Sequence, residues 1–341
     1  MNNGEKRVTL HDVAKVAGVS ASTVSRALKD DRRITPEVIQ KVKKIASELG
    51  YVPNITARSL KTGRSQTIGL LVRDISDEWS AAVIPAVEEE CSNFKYALLL
   101  SNSDSDIQRE QYYLNILKQR NVEGVLILTP LSSDQASYLQ KANEIPIVLV
   151  DTFLSEPKLN AITVDHELGS HISTSHLLDL GHHKTAFISG PLDISPSRQY
   201  RHGYYRALKE RGIPEDMGLF IDQKRIDVEH GYRAMQNILE KYPGITAVAT
   251  GSDLMAAGAM KAVKDRGLAI PEDISIIGYD DIPMSSFLSP ALTTIRQDRG
   301  VLGRLAVEML MEVIEGHSTG PKQITIPPKF VLRESTSPPK K

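Results

Sequence analysis

The stretch Thr9-Leu10-His11-Asp12-Val13-Ala14-Lys15-Val16-Ala17-Gly18-Val19-Ser20-Ala21-Ser22-Thr23-Val24-Ser25-Arg26-Ala27-Leu28 constrains this chain more than any other. It predicts two short helices joined by a tight turn. Gly18, lacking a Cβ, reaches positive φ cheaply and so ends the first helix. Ser20 is expected to cap the second by accepting from a backbone N–H near Ser22 or Thr23, with Val19 and Val24 as a hydrophobic staple. Val13, Val16, Val19, Val24 and Leu28 are expected to face inward, leaving Ala21, Ser22, Ser25 and Arg26 outward. Small polar side chains and one guanidinium suit a DNA major groove, so double-stranded DNA is the expected partner.

A third helix is predicted to open with Thr35 as cap, Pro36 at its first position and Glu37 in its first turn, and to close at Gly50. Val38, Val42, Ile45 and Leu49 fall on one stripe, which completes a small three-helix core. A three-helix protein-interaction module is the alternative. The capped second helix with its small, polar outer face disfavours it.

A chain of 341 residues exceeds one ordinary core and predicts two or three domains. Its net charge of -1 hides a division: residues 1–64 hold 13 Lys and Arg against 6 Asp and Glu, the remainder 28 against 36. A head of +7 on a body of -8 confines the expected phosphate footprint to the head. Cys91, the sole cysteine, excludes an intrachain disulfide and points to a reducing compartment. Neither a leader's apolar segment near Met1 nor a run of about 18 apolar residues is present, so a cytoplasmic protein without a membrane span is expected.

From about residue 65 the pattern changes to short apolar runs alternating with amphipathic stretches. Residues 68–72, 97–100, 125–128 and 147–150 predict buried strands, with helices near 80–94, 107–120 and 133–143. A second series follows: strands at 186–189, 247–250 and 275–278, helices near 167–180, 199–211, 229–241 and 253–266. The fold class is α/β, with two doubly wound lobes of parallel sheet behind the helix-turn-helix headpiece. Between them runs a basic segment, Pro53 to Arg64, with Ala57 and Leu60 three apart. It reads equally as a plain linker or as a helical turn that forms on DNA and wedges into the minor groove.

Several motifs together resemble the lactose-repressor/galactose-repressor (LacI/GalR) family of transcription factors, and its purine-repressor and catabolite-control branches in particular. They are Thr9 to Leu28, Gly50-Tyr51-Val52-Pro53-Asn54, Ala57-Arg58-Ser59-Leu60-Lys61, Ile68-Gly69-Leu70-Leu71, Leu180-Gly181-His182, Gly278-Tyr279-Asp280-Asp281 and Pro290 to Ile295. The resemblance implies a DNA-binding domain at 1–53, a hinge helix or linker at 54–64, and an effector-binding and dimerisation core at 65–341. The core would be periplasmic-binding-protein-like, its first lobe about 65–164 and 296–326, its second about 165–295 and 327–335. It further implies a repressor that binds a palindromic operator as a homodimer, or a tetramer. Ala21, Ser22 and Arg26 would occupy base-reading positions, Leu60 the minor-groove lever beside Ala57 and Lys61, and Arg33 a site near the DNA backbone. Thr9, Ser20, Thr23, Ser25 and Asn54 complete the expected DNA-contacting set. For Arg26, geometry agrees independently, since bidentate pairing to guanine discriminates by about 1–3 kcal/mol.

Open α/β sheets bind ligands at strand ends. Arg73, Asp74, Asn102, Ser103, Asp151, Asp165, Ser189, Ser252, Asp253 and Asp280 follow apolar runs, and Trp79 offers a face for stacking a sugar or nucleoside. Asp253 as a helix cap and Asp151 as a turn residue are the plain alternatives. The resemblance favours Asp280, Trp79, Asp151 and Ser252 as ligand positions. It also exposes departures: Arg73-Asp74-Ile75-Ser76-Asp77-Glu78-Trp79 replaces a Pro-Asp-Ile-Ser-Asn-Pro-Phe-like loop, and Tyr200 stands where the family often carries an effector-gripping arginine. Arg198 or Arg201 would have to substitute. Arg73 suggests an acidic or phosphorylated ligand, or else pairs with Asp74 or Asp77. The expected effector is thus a carbohydrate, a sugar phosphate or a nucleobase-like molecule, whose binding would shift lobe closure and thereby the hinge.

Other classes fare worse. An exported sugar-binding protein would share the lobes but needs a leader. The phosphate, dinucleotide, nucleophile-elbow and zinc-protease motifs are absent, so neither enzyme activity, cofactor nor metal is expected. His182-His183 reads as an exposed turn rather than a metal site. Regulation by a phosphorylated carrier protein docking on the body is the remaining alternative.

Overall fold

The computed structural model describes residues 8–52, 63–104, 106–128, 139, 145–154, 159–215 and 219–340. It divides into two compact units, Met1–Ser65 and Gln66–Lys341. The expected hinge residues Asn54, Ala57, Leu60 and Lys61, and the helix expected near 133–143 apart from Leu139, lie outside the described residues.

In the head, α1 (Leu10–Ala17) starts with a capping box in which Thr9 and Asp12 bond each other's backbone, and it ends at Gly18 with φ 67°. Ser20 caps α2 (Ala21–Ala27) by accepting from Thr23 N at 3.1 Å. In α3 (Pro36–Glu48) Thr35 occupies the cap position but makes no side-chain cap bond, and its hydroxyl serves the Glu37 carboxylate instead. Val13, Ala14, Ala17, Val24, Ala27, Val42 and Ala46 are buried, and Val19, Leu28, Val38, Ile45 and Leu49 pack around them. Val16 does not join them, being 58 % exposed. The buried arc of α1 is centred near Val13 and Ala17, and Val16 lies about 100° around the helix from that arc. Ala21, expected outward, is instead half-buried against this core.

The larger unit contains two six-stranded sheets, ordered β11-β5-β4-β3-β1-β2 and β12-β10-β9-β8-β6-β7. The first comprises β1 (Thr67–Val72), β2 (Ala97–Asn102), β3 (Gly124–Leu128), β4 (Ile147–Val150), β5 (Asn160–Val164) and β11 (Gln323–Ile326). The second comprises β6 (Thr185–Ser189), β7 (Leu219–Asp222), β8 (Ala247–Thr250), β9 (Ser275–Asp280), β10 (Thr293–Arg296) and β12 (Lys329–Val331). All pairings are parallel except β10 with β12. Continuous apolar runs such as those of β3, β4 and β6 are buried along their whole length, as helices on both faces require.

Helices α4 (Glu78–Asn93) and α5 (Ile107–Gln119) follow β1 and β2. Cys91 is buried in α4, where desolvation pushes its thiol up to about 12, and it is inert for redox pairing. Four helices serve the second sheet: α6 (His166–Asp179), α7 (Ser195–Glu210), α8 (Val228–Lys241) and α9 (Asp253–Asp265). The long α10 (Arg299–Ile314) returns from β10 to cover the first sheet, burying Leu302, Ala306 and Leu310 there. The chain therefore passes between the sheets three times, after β5, after β10 and between β11 and β12. The strand carboxyl ends of both sheets are brought to one cleft. His182, expected on an exposed turn, is buried: its ring nitrogens meet Thr246 Oγ1 at 2.8 Å and the Ser337 carbonyl at 2.9 Å, tying the C-terminal segment down.

Candidate functional site

The head presents an exposed polar helix. Ser22 and Arg26 are exposed on α2, while Thr23 and Ser25 are half-buried. The Ser20 hydroxyl lies 2.7 Å from that of Ser22 and 2.9 Å from that of Thr23, so the cap also orders the first turn's polar edge. Thr9 is likewise exposed and committed to its capping box. Arg33 is exposed but grips Asp31 through two bonds of 2.9 and 2.6 Å. A phosphate would have to compete with that carboxylate for it.

In the larger unit, a cleft open on one side is lined by residues of both lobes. Arg73, Trp79 and Asp151 come from the first, Tyr200, Ser252 and Asp280 from the second, and Gln297 from the connection between them. Outward lies a wider, polar vestibule of about 570 Å³ that includes Arg73, Asp74, Ser103, Glu110, Lys224 and Arg225. Asp151, with φ 59°, and Asp280, with φ 107°, adopt left-handed backbone at the ends of β4 and β9, which turns their side chains out of the strand direction. Burial, with Asp253 and Asp77 nearby, holds the Asp280 carboxyl well above the usual carboxylate range. Gln297 donates to its Oδ1 at 2.5 Å, while Gln297 Oε1 itself is buried without a partner among the described residues. Trp79 Nε1 is also buried and unpartnered. A ligand offering hydroxyls would satisfy both.

Arg73 stands 3.8 Å from Asp77, which caps α4 by accepting from Ser80 N. Ser252 lines the cleft and caps α9, accepting from Met255 N at 3.1 Å. Asp253 does not line it. Its carboxylate is buried among Ile282 N, Ser285 Oγ and Thr294 Oγ1, at 2.9, 2.6 and 2.5 Å, and desolvation raises it to about 6. Asp253 therefore stitches α9 to the loop after β9 rather than meeting an effector.

Neither arginine replaces the one absent at Tyr200. Arg198 donates to the Leu192 and Asp193 carbonyls, bracing its own loop, and Arg201 is not among the lining residues. Helix geometry explains this. Tyr200 faces the cleft, and its two neighbours at plus one and minus two are rotated about 100° and 160° away. Asn102, Asp165 and Ser189 also stay out of the cleft, Asp165 capping α6 through Leu168 N at 2.8 Å. His166, Tyr279 and Gln297 escaped the sequence reading. His166 lies two residues past β5, next to Asp165, so the strand-end rule widened by one residue would have found it.

Comparison with known proteins fits this geometry. Residues 65–334 match the family model described as periplasmic binding proteins and sugar binding domain of the LacI family, and residues 9–54 match that of bacterial regulatory proteins, lacI family. The chain belongs to the LacI family of DNA-binding bacterial regulators, with the effector-binding fold in its core. It is 37% identical over 327 residues to the ribose operon repressor of Haemophilus influenzae, covering 96% of this chain and 98% of that one. Among solved structures, the lac repressor dimer bound to operator and the anti-inducer ONPF superposes with TM-score 0.90 at 29% identity, covering 97% of this chain and all of that one. A LacI family regulator from Enterococcus faecium with bound ribose gives TM-score 0.72 at 30% identity, covering 80% and 100%.

Proposed function

We propose that this regulator is a repressor that binds a palindromic operator as a dimer and that a neutral sugar of the ribose class, held between the lobes, sets its operator affinity. The carrying observation is the charge of the cleft. Among the described residues its lining includes the carboxylates of Asp77, Glu78 and Asp151, with Asp280 as a protonated acid, against one cation, Arg73, already beside Asp77. Sugar hydroxyls donate well to carboxylates, whereas a phosphorylated ligand would meet like charge. Trp79 adds an apolar face and a free N–H. The ribose-named relative and the ribose-bound regulator favour the same ligand class, and the lac repressor complex favours operator and dimer.

In this reading Arg73, Trp79, Asp151, Ser252 and Asp280 contact the effector, with Asp74 in the vestibule. Ser22 and Arg26 read bases, with Thr9, Ser20, Thr23, Ser25 and Arg33 near the backbone, and the domains divide at 1–53, 54–64 and 65–341. Asn54, Ala57, Leu60 and Lys61 serve the minor groove. The regulator acts in the cytoplasm.

The test combines two titrations. An operator is selected from random DNA and titrated by fluorescence anisotropy at several salt concentrations, with and without ribose. Ribose is titrated separately while Trp79, the chain's sole tryptophan, reports through its emission. We expect a saturable emission change, a tenfold or larger shift in operator affinity, and a steep salt slope. A response to ribose 5-phosphate but not to ribose would replace the neutral ligand by an anionic one. A flat salt slope would remove the operator reading.

A further inference from the structure

The cleft carboxylate of Asp151 is held from the opposite lobe. His166, 1 % exposed in the first turn of α6, places Nε2 at 2.8 Å from Asp151 Oδ1 and Nδ1 at 3.2 Å from the Tyr279 hydroxyl. Asp151 follows β4 of the first sheet, whereas Tyr279 belongs to β9 of the second, on which α6 packs. The Asp151–His166 bond thus joins the lobes at the ligand site. Two residues on, Phe153 N donates to Ser195 Oγ at 3.1 Å, at the start of α7, so the loop after β4 is tied across twice.

Hydrogen-bond accounting gives the bridge a direction. A carboxylate only accepts, so Nε2 carries the hydrogen, and the ring's other nitrogen is left to the Tyr279 hydroxyl. Burial, reinforced by Asp151, Asp280 and Asp165, keeps that phenol well above its ordinary range, so its oxygen keeps a hydrogen to share. The ring is packed as well. Tyr200, which lines the cleft, meets it edge-on at 5.2 Å with planes at 83°, and Tyr279 lies 5.7 Å away. Gly169, one turn along α6, leaves the space: a Cβ there would collide with the Tyr279 hydroxyl and ring.

We infer that His166 is a positioning residue for the effector site: it aims the Asp151 carboxylate at the ligand and, seated in the second lobe, links that aim to lobe closure. The inference deepens the sugar-cleft reading and rests on it. His166 touches no ligand itself. It acts through Asp151, in the manner of the outer partners that orient ligand-binding groups elsewhere.

The experiment uses the full chain and three variants. His166→Phe keeps volume but removes the donor, His166→Gln keeps an N–H of similar reach, and Tyr279→Phe removes one oxygen. Ribose affinity is read from Trp79 emission, and acrylamide quenching of Trp79 without ligand reads cleft opening. Phe at 166 is expected to weaken ribose tenfold or more and to double quenching. Gln is expected to stay within threefold of the parent, and Tyr279→Phe to lose about threefold. Equal loss in Phe and Gln would mean a packing role and overturn the inference, as would parental behaviour of the Phe variant in both assays. Should His166→Phe fail to fold, Tyr279→Phe decides alone, and an unchanged affinity and quenching overturn it. If the parent ignores ribose while His166→Phe still raises quenching, the ribose reading fails and the bridge stands.

Discussion

The head and the core solve the same problem, aiming polar groups at a partner, by opposite means. On α2, Ser20, Ser22, Thr23 and Arg26 lie within seven residues and are aimed by one cap and one turn. In the core, Trp79, Asp151, Tyr200, Ser252, Asp280 and Gln297 come from six separate elements or connections and meet only because two sheets end at one cleft. A local site fails when its helix fails. A converged site fails when the lobes shift, even if every strand remains intact.

The largest expected effect comes from breaking the head alone. Among the described residues its core has seven buried side chains, none larger than valine, so little stability is available there. A carboxylate at fully buried Val24 would be unpaired and would cost several kcal/mol, roughly the stability of so small a domain. Val24→Asp should reduce operator affinity more than a hundredfold by anisotropy while the Trp79 response to ribose persists. Loss of both would show that the two regions are not separable as described.

The same contrast governs what could be read from the amino-acid order. The caps and turn of the head follow from residues three or four apart, so Gly18, Ser20 and the α2 boundaries were legible. Val16 is not legible in this way, because a valine next to an inward arc is apolar whichever way it points. In the core the strand-end rule selects a class of positions. It does not separate Asp253, which turns into the α9 packing, from Asp280, which faces the cleft, and the resemblance that offered Arg198 could not show that it turns back onto its own loop. Those outcomes depend on rotation about a strand or helix end by one residue. His166 and Tyr279 are 113 residues apart, and nothing local announces that they share a hydrogen bond.

A middle-sized effect should separate ligand chemistry from stability within the core. Glu110 on α5 is buried beside the vestibule, and desolvation alone raises its carboxyl to about 7. Between its ordinary 4.5 and that value the native state retains a proton the unfolded chain has released. Stability therefore falls as pH rises through this window. Full conversion would cost about 3.4 kcal/mol, and solvent in the vestibule reduces this to about 1–2 kcal/mol. Glu110→Gln, which does not titrate, should raise the melting temperature at pH 8 and leave it unchanged at pH 4. An equal gain at both would assign the effect to packing.

The smallest effect probes the head's local logic directly. Ser20→Ala removes the acceptor for Thr23 N and also the hydroxyl that holds Ser22 and Thr23. Such a cap contributes about 1 kcal/mol, near fivefold in an equilibrium. Asp165→Ala removes the equivalent bond to Leu168 N in the core. There α6 is held by buried Leu177 and Leu178 and by its packing on α7, so the lost cap should leave ribose affinity near parental. On α2, with only Val24 and Ala27 buried, operator affinity should fall about fivefold without a change in salt slope, because the substitution removes no cation from the phosphates. A reduced slope would instead show that cationic side chains of the head leave the phosphates when the cap is lost, so that the cap positions more than α2.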